Sequence, residues 1–143
     1  MSDNTPKLGD QICFPLYVIA KEITGLYRPF LVELGITYPQ YLVLKVLWEN
    51  GKLPVNQIGE ILYLDSGTLT PLLKRLEAKS FIIRNRKKED ERVVEIGLTD
   101  KGLLLQKEAC SIPTKMKTKL NLSDDDLLEL KTTIKKLLIK IEK

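Results

Sequence analysis

LDSGTLTPLLKRLE, Leu64 to Glu77 of this 143-residue chain, carries two patterns at once. Leu69, Leu72, Leu73 and Leu76 recur at i, i+3, i+4 and i+7, which is one apolar stripe of a 3.6-residue period and predicts a helix. Asp65 and Ser66 offer the side-chain oxygens that cap a helix start. The opposite face collects Ser66, Thr68, Thr70, Pro71, Lys74 and Arg75, short polar groups leading into two cations. Such a face suits a DNA groove: small residues let the helix approach base edges, and hydroxyls and cations serve bases and phosphates. An ordinary core helix with a solvated back has the same pattern, so the flanking sequence has to decide.

On the N-terminal side, Val55 to Tyr63 predicts a shorter helix with Ile58, Ile61 and Leu62 turned inward, joined to the first by a tight turn. Two short helices joined in this way, the second with a polar and basic face, form a helix-turn-helix. On the C-terminal side the period changes from 3.6 to 2 after Ser80. Residues 82–98 read as a two-stranded hairpin, or wing, whose tip is KKEDER and which carries Arg84, Arg86, Lys87, Lys88 and Arg92. Charge follows the same division. Residues 74–92 hold eight cations against four anions, so these nineteen residues carry a net charge equal to the +4 of the whole chain. A local basic stripe on a modestly charged domain is the footprint of a polyanion partner.

Outward from this region the chain is helical. Residues 8–34 read as one long helix with a seam of Ile12, Leu16, Ile19, Ile23, Leu26 and Phe30. Pro15 is tolerated only in the first turns, so the regular part should begin close to Cys13. Thr37 to Gln40 is a T-x-x-Q capping box that opens a helix, apolar nearly all round, ended by Asn50-Gly51. Leu53 to Val55 suggests a short edge strand. Thr99 caps a further helix that passes Cys110 and that Pro113 should kink or break; Ser123, with Asp126 three residues on, starts the last one. Its stripe of Leu127, Leu130, Ile134, Leu137, Leu138 and Ile141 needs a partner, as the N-terminal seam does, and a homodimer supplies it. The fold class is therefore mainly α with a small β-wing (α+β). It is one domain over 1–143, with a winged helix-turn-helix at 35–99 and dimerisation helices at 8–34 and 100–143.

Composition bounds the function. MSDNTPK is polar, expected to be disordered, and lacks the apolar core of a signal peptide. No run approaches the ~18 apolar residues of a membrane span. A cytoplasmic location is expected, and there Cys13 and Cys110 rest as thiols. Two cysteines and no histidine argue against structural zinc and remove Ser-His and Cys-His catalysis, so no metal or cofactor and no enzymatic function is expected. Cys13 has its own claim to reactivity. A helix N-terminus favours thiolate, the form that attacks a peroxide, and Tyr17 stands one turn away.

The strings QICFPLY (11–17), ITYPQYLVL (36–44), LYLDSGTLTPLLKRLE (62–77) and EDERVVEIGLT (89–99) carry a resemblance covering nearly the whole chain. The chain resembles the MarR family of winged-helix regulators, and within it the organic hydroperoxide resistance regulators and their staphylococcal thiol-switch relatives. The resemblance implies a redox-sensing transcriptional repressor that binds a pseudo-palindromic duplex as a dimer and releases it when peroxide oxidises Cys13. Cys13 matches the family's reactive cysteine, and Tyr27 and Tyr38 match tyrosines that hydrogen-bond it. Residues 68–75 match the major-groove reader, and Arg92 matches an arginine that enters the minor groove. Cys110 is the candidate resolving thiol, although one-cysteine members lack it. Pro54 stands where relatives often carry a capping Thr. Three other readings stay open: a MarR-type regulator gated by a small phenolic or aromatic ligand, a thiol peroxidase, and an interaction module.

Overall fold

The computed structural model describes residues 4–142. Of the stretch expected to be disordered, residues 1–3 lie outside the described residues, and residues 4–7 carry no regular secondary structure. The chain divides into two compact units, 1–110 and 111–143.

In the first unit a single 3-10 turn (Leu8–Asp10) precedes α1 (Cys13–Leu34). The expected helix from Leu8 is thus interrupted, and the regular part starts at Cys13, as the position of Pro15 requires. Pro29 lies inside α1 and lacks the N–H that the Gly25 carbonyl would accept. Gly35, at φ +71°, ends the helix in the left-handed conformation that glycine adopts at least cost.

Helix α2 (Tyr38–Asn50) opens on the expected capping box. The Gln40 N–H donates to Thr37 Oγ1 at 3.4 Å, and the Thr37 N–H donates back to Gln40 Oε1 at 3.0 Å. Tyr41, Val43, Leu44, Val46 and Leu47 are all buried, which makes α2 the centre of the core. Each such aliphatic side chain contributes roughly 1.5–3 kcal/mol on full burial.

The edge strand is β1 (Leu53–Pro54). It pairs antiparallel with β3 (Val94–Leu98), which pairs on its other side with β2 (Ile82–Arg86), so the wing hairpin belongs to a three-stranded sheet ordered β1-β3-β2. Val93 stays just outside the strand, although its carbonyl accepts from the Lys87 N–H at 2.8 Å and so extends the ladder toward the tip.

Helix α3 (Val55–Leu62) starts on Pro54, which gives no side-chain cap. Its inward face is rotated from the expected one: Ile58 and Gly59 are buried and Ile61 is exposed. Gly59 packs against the turn that follows. A Cβ there would stand 2.8 Å from the Leu64 carbonyl, so only glycine lets α3 close onto the turn. Tyr63, left-handed at φ +57°, makes that turn.

Helix α4 (Ser66–Ala78) begins one residue earlier than a Ser66 cap would place it. Asp65 is the cap, accepting from the Thr68 N–H at 2.7 Å, and Ser66 is the first helical residue. Leu69, Leu72, Leu73 and Leu76 are buried, as the stripe predicts. Thr99 then fixes the root of the wing. Its hydroxyl donates to the Ser80 carbonyl and accepts from the Gly102 N–H, capping α5 (Asp100–Ala109).

In the second unit α6 (Ile112–Leu120) carries Pro113 at its second position, so the break falls at Cys110 and Ser111, ahead of the proline. Helix α7 (Asp124–Ile141) opens on the Ser123–Asp126 capping box and exposes Leu130, Ile134, Leu137, Leu138 and Ile141. Among the described residues no single helix is long and apolar enough to cross a membrane.

Candidate functional site

The outer face of α4 presents Ser66, Gly67, Thr68, Pro71, Lys74 and Arg75 to solvent, with Thr70 half-buried beside them. Pro71 lacks an N–H, so the Gly67 carbonyl, one turn back and exposed, loses its ladder donor on this face. Lys74 and Arg75, with Lys87 and Lys88 of the wing tip, make no ion pair among the described residues.

The remaining wing cations are already engaged. Arg84 Nε lies 3.4 Å from Glu77 Oε2, with both side chains part-buried, and ties β2 to the last turn of α4. Arg86 donates to the Glu91 carbonyl at 2.9 Å and closes the tip. Arg92 projects with its side chain 91% exposed, held by Asp90 through Nε at 3.0 Å and Nη2 at 3.1 Å. That guanidinium holds the Asp90 carboxyl below the usual carboxylate range. Between α4 and the wing runs a cleft of about 480 Å³ lined by Asn56, Ser66, Thr70, Arg84 and Arg92. Asn56 was missed in sequence. Its only signal is its place at the second position of the helix before α4.

At the other end of the unit, Cys13 is the first residue of α1 and is exposed. Ile12 precedes it as the N-cap residue and makes no side-chain cap hydrogen bond. Tyr17, one turn on, is exposed. Tyr27 and Tyr38 meet with ring centroids 4.8 Å apart, and Tyr41 adds a third ring 5.8 Å from Tyr27. Trp48 packs edge-on against Tyr41 at 6.3 Å. Burial pushes the hydroxyls of Tyr27, Tyr38 and Tyr41 above the ordinary value of 10.0, so all three are O–H donors at neutral pH. Tyr41 and Trp48 were not anticipated, because their apolar spacing reads simply as core.

Tyr17 and Tyr38 line one groove of about 770 Å³, together with Ala20, Thr24, Arg28 and Pro39; Cys13 is not among its lining residues. Cys13 and Tyr27 share one helix, fourteen residues apart, hence about 21 Å along its axis. Cys110 caps the C-terminus of α5, is exposed, and donates its S–H to the Lys107 carbonyl at 3.0 Å. No cluster of three or more His, Cys, Asp or Glu side chains suited to a metal occurs among the described residues.

Comparison with known proteins bears on both ends. The family described as transcriptional regulator SarA/Rot matches residues 25–109. The organic hydroperoxide resistance transcriptional regulator of Bacillus subtilis is 50% identical over 132 residues, covering 92% of this chain and 90% of that protein. AbfR of Staphylococcus epidermidis is similar in fold. Its reduced form bound to DNA superposes with a TM-score of 0.74 at 40% identity, covering 95% of this chain and 96% of that one. Its disulfide form gives 0.69 at 37% identity, covering 92% of each. The chain belongs to the MarR family of winged-helix transcriptional regulators, in the group of the organic hydroperoxide resistance regulators.

Proposed function

We propose that the chain is a redox-sensing, DNA-binding transcriptional repressor. It acts in the cytoplasm as a homodimer, grips a pseudo-palindromic duplex while Cys13 is reduced, and lets go when an organic hydroperoxide oxidises that thiol. The observation that carries this reading is the placement of Cys13, exposed at the first residue of α1 in a chain half identical to a hydroperoxide resistance regulator.

The chemistry balances without a cofactor. The Cys13 thiolate attacks the outer peroxide oxygen; the O–O bond breaks, the alkoxide leaves and takes a proton, and the sulfur becomes a sulfenic acid. A second thiol then displaces water from that sulfur and forms a disulfide. Cys110, exposed at the end of α5, is one source of that thiol, and a small cellular thiol is the other. Each oxidation serves one release event, which makes the protein a switch and not an enzyme.

DNA is gripped by the free face of α4 in the major groove, with Thr68, Thr70, Lys74 and Arg75 toward bases and phosphates. Arg92 reaches the minor groove, and Lys87 and Lys88 take the flanking phosphates. Arg84 serves through Glu77, fixing the angle of the wing against α4. The dimer covers the apolar side chains that each unit leaves bare: Ile12, Leu16 and Ile19 on α1, and Leu130, Ile134, Leu137 and Leu138 on α7. Reading heads one DNA turn apart lose the operator on a small change of spacing.

A duplex selected from a random library against the reduced protein supplies the test. Organic hydroperoxide should abolish the gel shift of wild type and leave that of Cys13→Ser intact. Release of the Cys13→Ser protein by peroxide would refute the mechanism. The groove beside Tyr38 favours one second reading, gating by a small aromatic ligand, which predicts a response that survives loss of both cysteines.

A further inference from the structure

Gln40 is the one polar or charged residue in the buried core among the described residues, 2% exposed. Its side-chain oxygen accepts twice. One donor is the Thr37 N–H, 3.0 Å away, in the capping box. The other is the Lys79 ammonium, 2.9 Å away, thirty-nine residues further along the chain. The same ammonium donates to the Gly35 carbonyl at 2.8 Å, the cap that ends α1. Lys79 is itself the C-cap residue of α4, and its own carbonyl accepts from Lys101 Nζ at 2.9 Å. Lys101 in turn sits over the Phe81 ring at 4.8 Å, at the root of β2.

One positive charge therefore joins the end of α1, the first turn of α2 and the end of α4. The C-terminal end of α1 carries the negative pole of its dipole, which favours a cation there. The capping box that receives Lys79 encloses Tyr38, next in sequence to Thr37, and the Tyr38 ring packs on Tyr27. The Tyr27–Tyr38 pair is thus adjacent to the group that Lys79 holds, and that ammonium is adjacent to the end of α4.

We propose that Lys79 is a positioning residue that couples the thiol site to the DNA-reading helix through Gln40 and Gly35. The proposal rests on the redox-regulator reading and adds the path by which the signal leaves the tyrosines. Removing the ammonium then uncouples the two ends: Cys13 still oxidises, but oxidation no longer moves α4 by the same amount. Couplings between sites in proteins commonly amount to about 5- to 150-fold in affinity, and that ratio is the quantity to read.

Lys79→Met keeps the aliphatic stem and removes the charge. Operator affinity is measured for the reduced and the peroxide-treated protein, with Cys13 oxidation followed by thiol labelling in the same samples. The expected result is wild-type oxidation kinetics and a fall of at least about fivefold in the ratio of reduced to oxidised affinity. Lys79→Arg, which keeps a donor, should retain the ratio within about twofold. Lys79→Met with an unchanged ratio, or with affinity lowered equally in both states, overturns the proposal, because a merely structural tie weakens both states alike. Gln40→Met leaves Lys79 its Gly35 carbonyl, and it carries the same expectation if Lys79→Met fails to fold. Wild-type protein that keeps its operator after Cys13 oxidation overturns the redox-regulator reading itself and this proposal with it.

Discussion

Gly102 lies in the first turn of α5, where alanine is normally the better helix former by about 1 kcal/mol. Here the sign should reverse. A Cβ at Gly102 would stand 2.2 Å from the Phe81 carbonyl oxygen and 3.1 Å from Leu98 Cδ2. The Phe81 oxygen cannot retreat freely, because it accepts from the Thr99 N–H at 3.1 Å. Gly102 is itself pinned: its N–H donates to Thr99 Oγ1 at 3.0 Å, and its carbonyl accepts from Trp48 Nε1 at 2.9 Å. Relief requires α5 to move away from β2 and β3 by most of an ångström. Overpacking of this kind costs about 1–3 kcal/mol. Losing the Trp48 hydrogen bond adds roughly 0.5–1.5 kcal/mol, more where the partner is left buried and unsatisfied. Against a gain of about 1 kcal/mol from propensity, Gly102→Ala should be destabilised by about 1–3 kcal/mol. Urea unfolding followed by fluorescence measures this directly, since Trp48 is the single tryptophan and one of the bonded partners. The native emission should also shift, because the indole N–H changes partner. A Gly102→Ala protein as stable as wild type, with unchanged emission, would refute the close approach of α5 to the wing root.

Other substitutions test the reading face and the switch. Arg92→Ala should weaken operator binding at matched salt, and unchanged affinity would remove Arg92 from the interface. Lys74→Ala and Arg75→Ala should each lower the slope of log affinity against log salt by about one unit if each meets a phosphate; a slope equal to wild type excludes that contact. Glu77→Gln should loosen the wing through Arg84 and lower affinity without changing Cys13 oxidation, which an operator titration beside thiol labelling checks. Alkaline titration followed by tyrosinate absorbance should show Tyr27, Tyr38 and Tyr41 ionising above 10.0, because burial disfavours the phenolate. The unfolded chain loses those protons first, so stability should fall as pH rises from about 10 into the raised range. Three phenols titrating at the ordinary value would contradict the buried cluster.

Some of these features could be read from the chain and some could not, for physical reasons. The stripe Leu69, Leu72, Leu73, Leu76 announces α4, because one face of a helix repeats every 3.6 residues whatever lies opposite. T-x-x-Q at Thr37 and S-x-x-D at Ser123 announce helix starts, because the bonds they make are local. Ile61 was misplaced because Gly59 has no apolar side chain to register in the pattern. The inward arc of α3 runs through Ile58 and Gly59 and leaves Ile61 outside. The ties between Arg84 and Glu77, and between Lys79 and Gln40, join separate elements, and nothing in a run of residues marks which cations are engaged. The wing therefore read as five equivalent cations, whereas the structure divides them into three held and two free.

The separation of Cys13 from Tyr27 leads to a prediction about the whole assembly. Helix α1 runs unbroken from Cys13 to Leu34, and the ladder bond that Pro29 removes, at the Gly25 carbonyl, falls at the Tyr27 end of the span, so Cys13 and Tyr27 stay about 21 Å apart along the axis. A phenol of Tyr27 that donates to the sensor sulfur must therefore come from a second copy of the chain. Mixed dimers separate the alternatives. Pair a Cys13→Ser subunit with a Tyr27→Phe subunit, and one site keeps both groups if the phenol acts across the interface, whereas none does if it acts within a chain. Pair a subunit carrying both substitutions with wild type, and the outcome inverts. Tagged subunits allow each mixed dimer to be isolated and the oxidation rate of its remaining Cys13 to be followed by thiol labelling. The first pairing should oxidise at the wild-type rate per site and the second more slowly. The reverse order would place the Tyr27 effect within one chain, which α1 as a continuous helix does not permit for a direct hydrogen bond. Equal rates would remove Tyr27 from the thiol site.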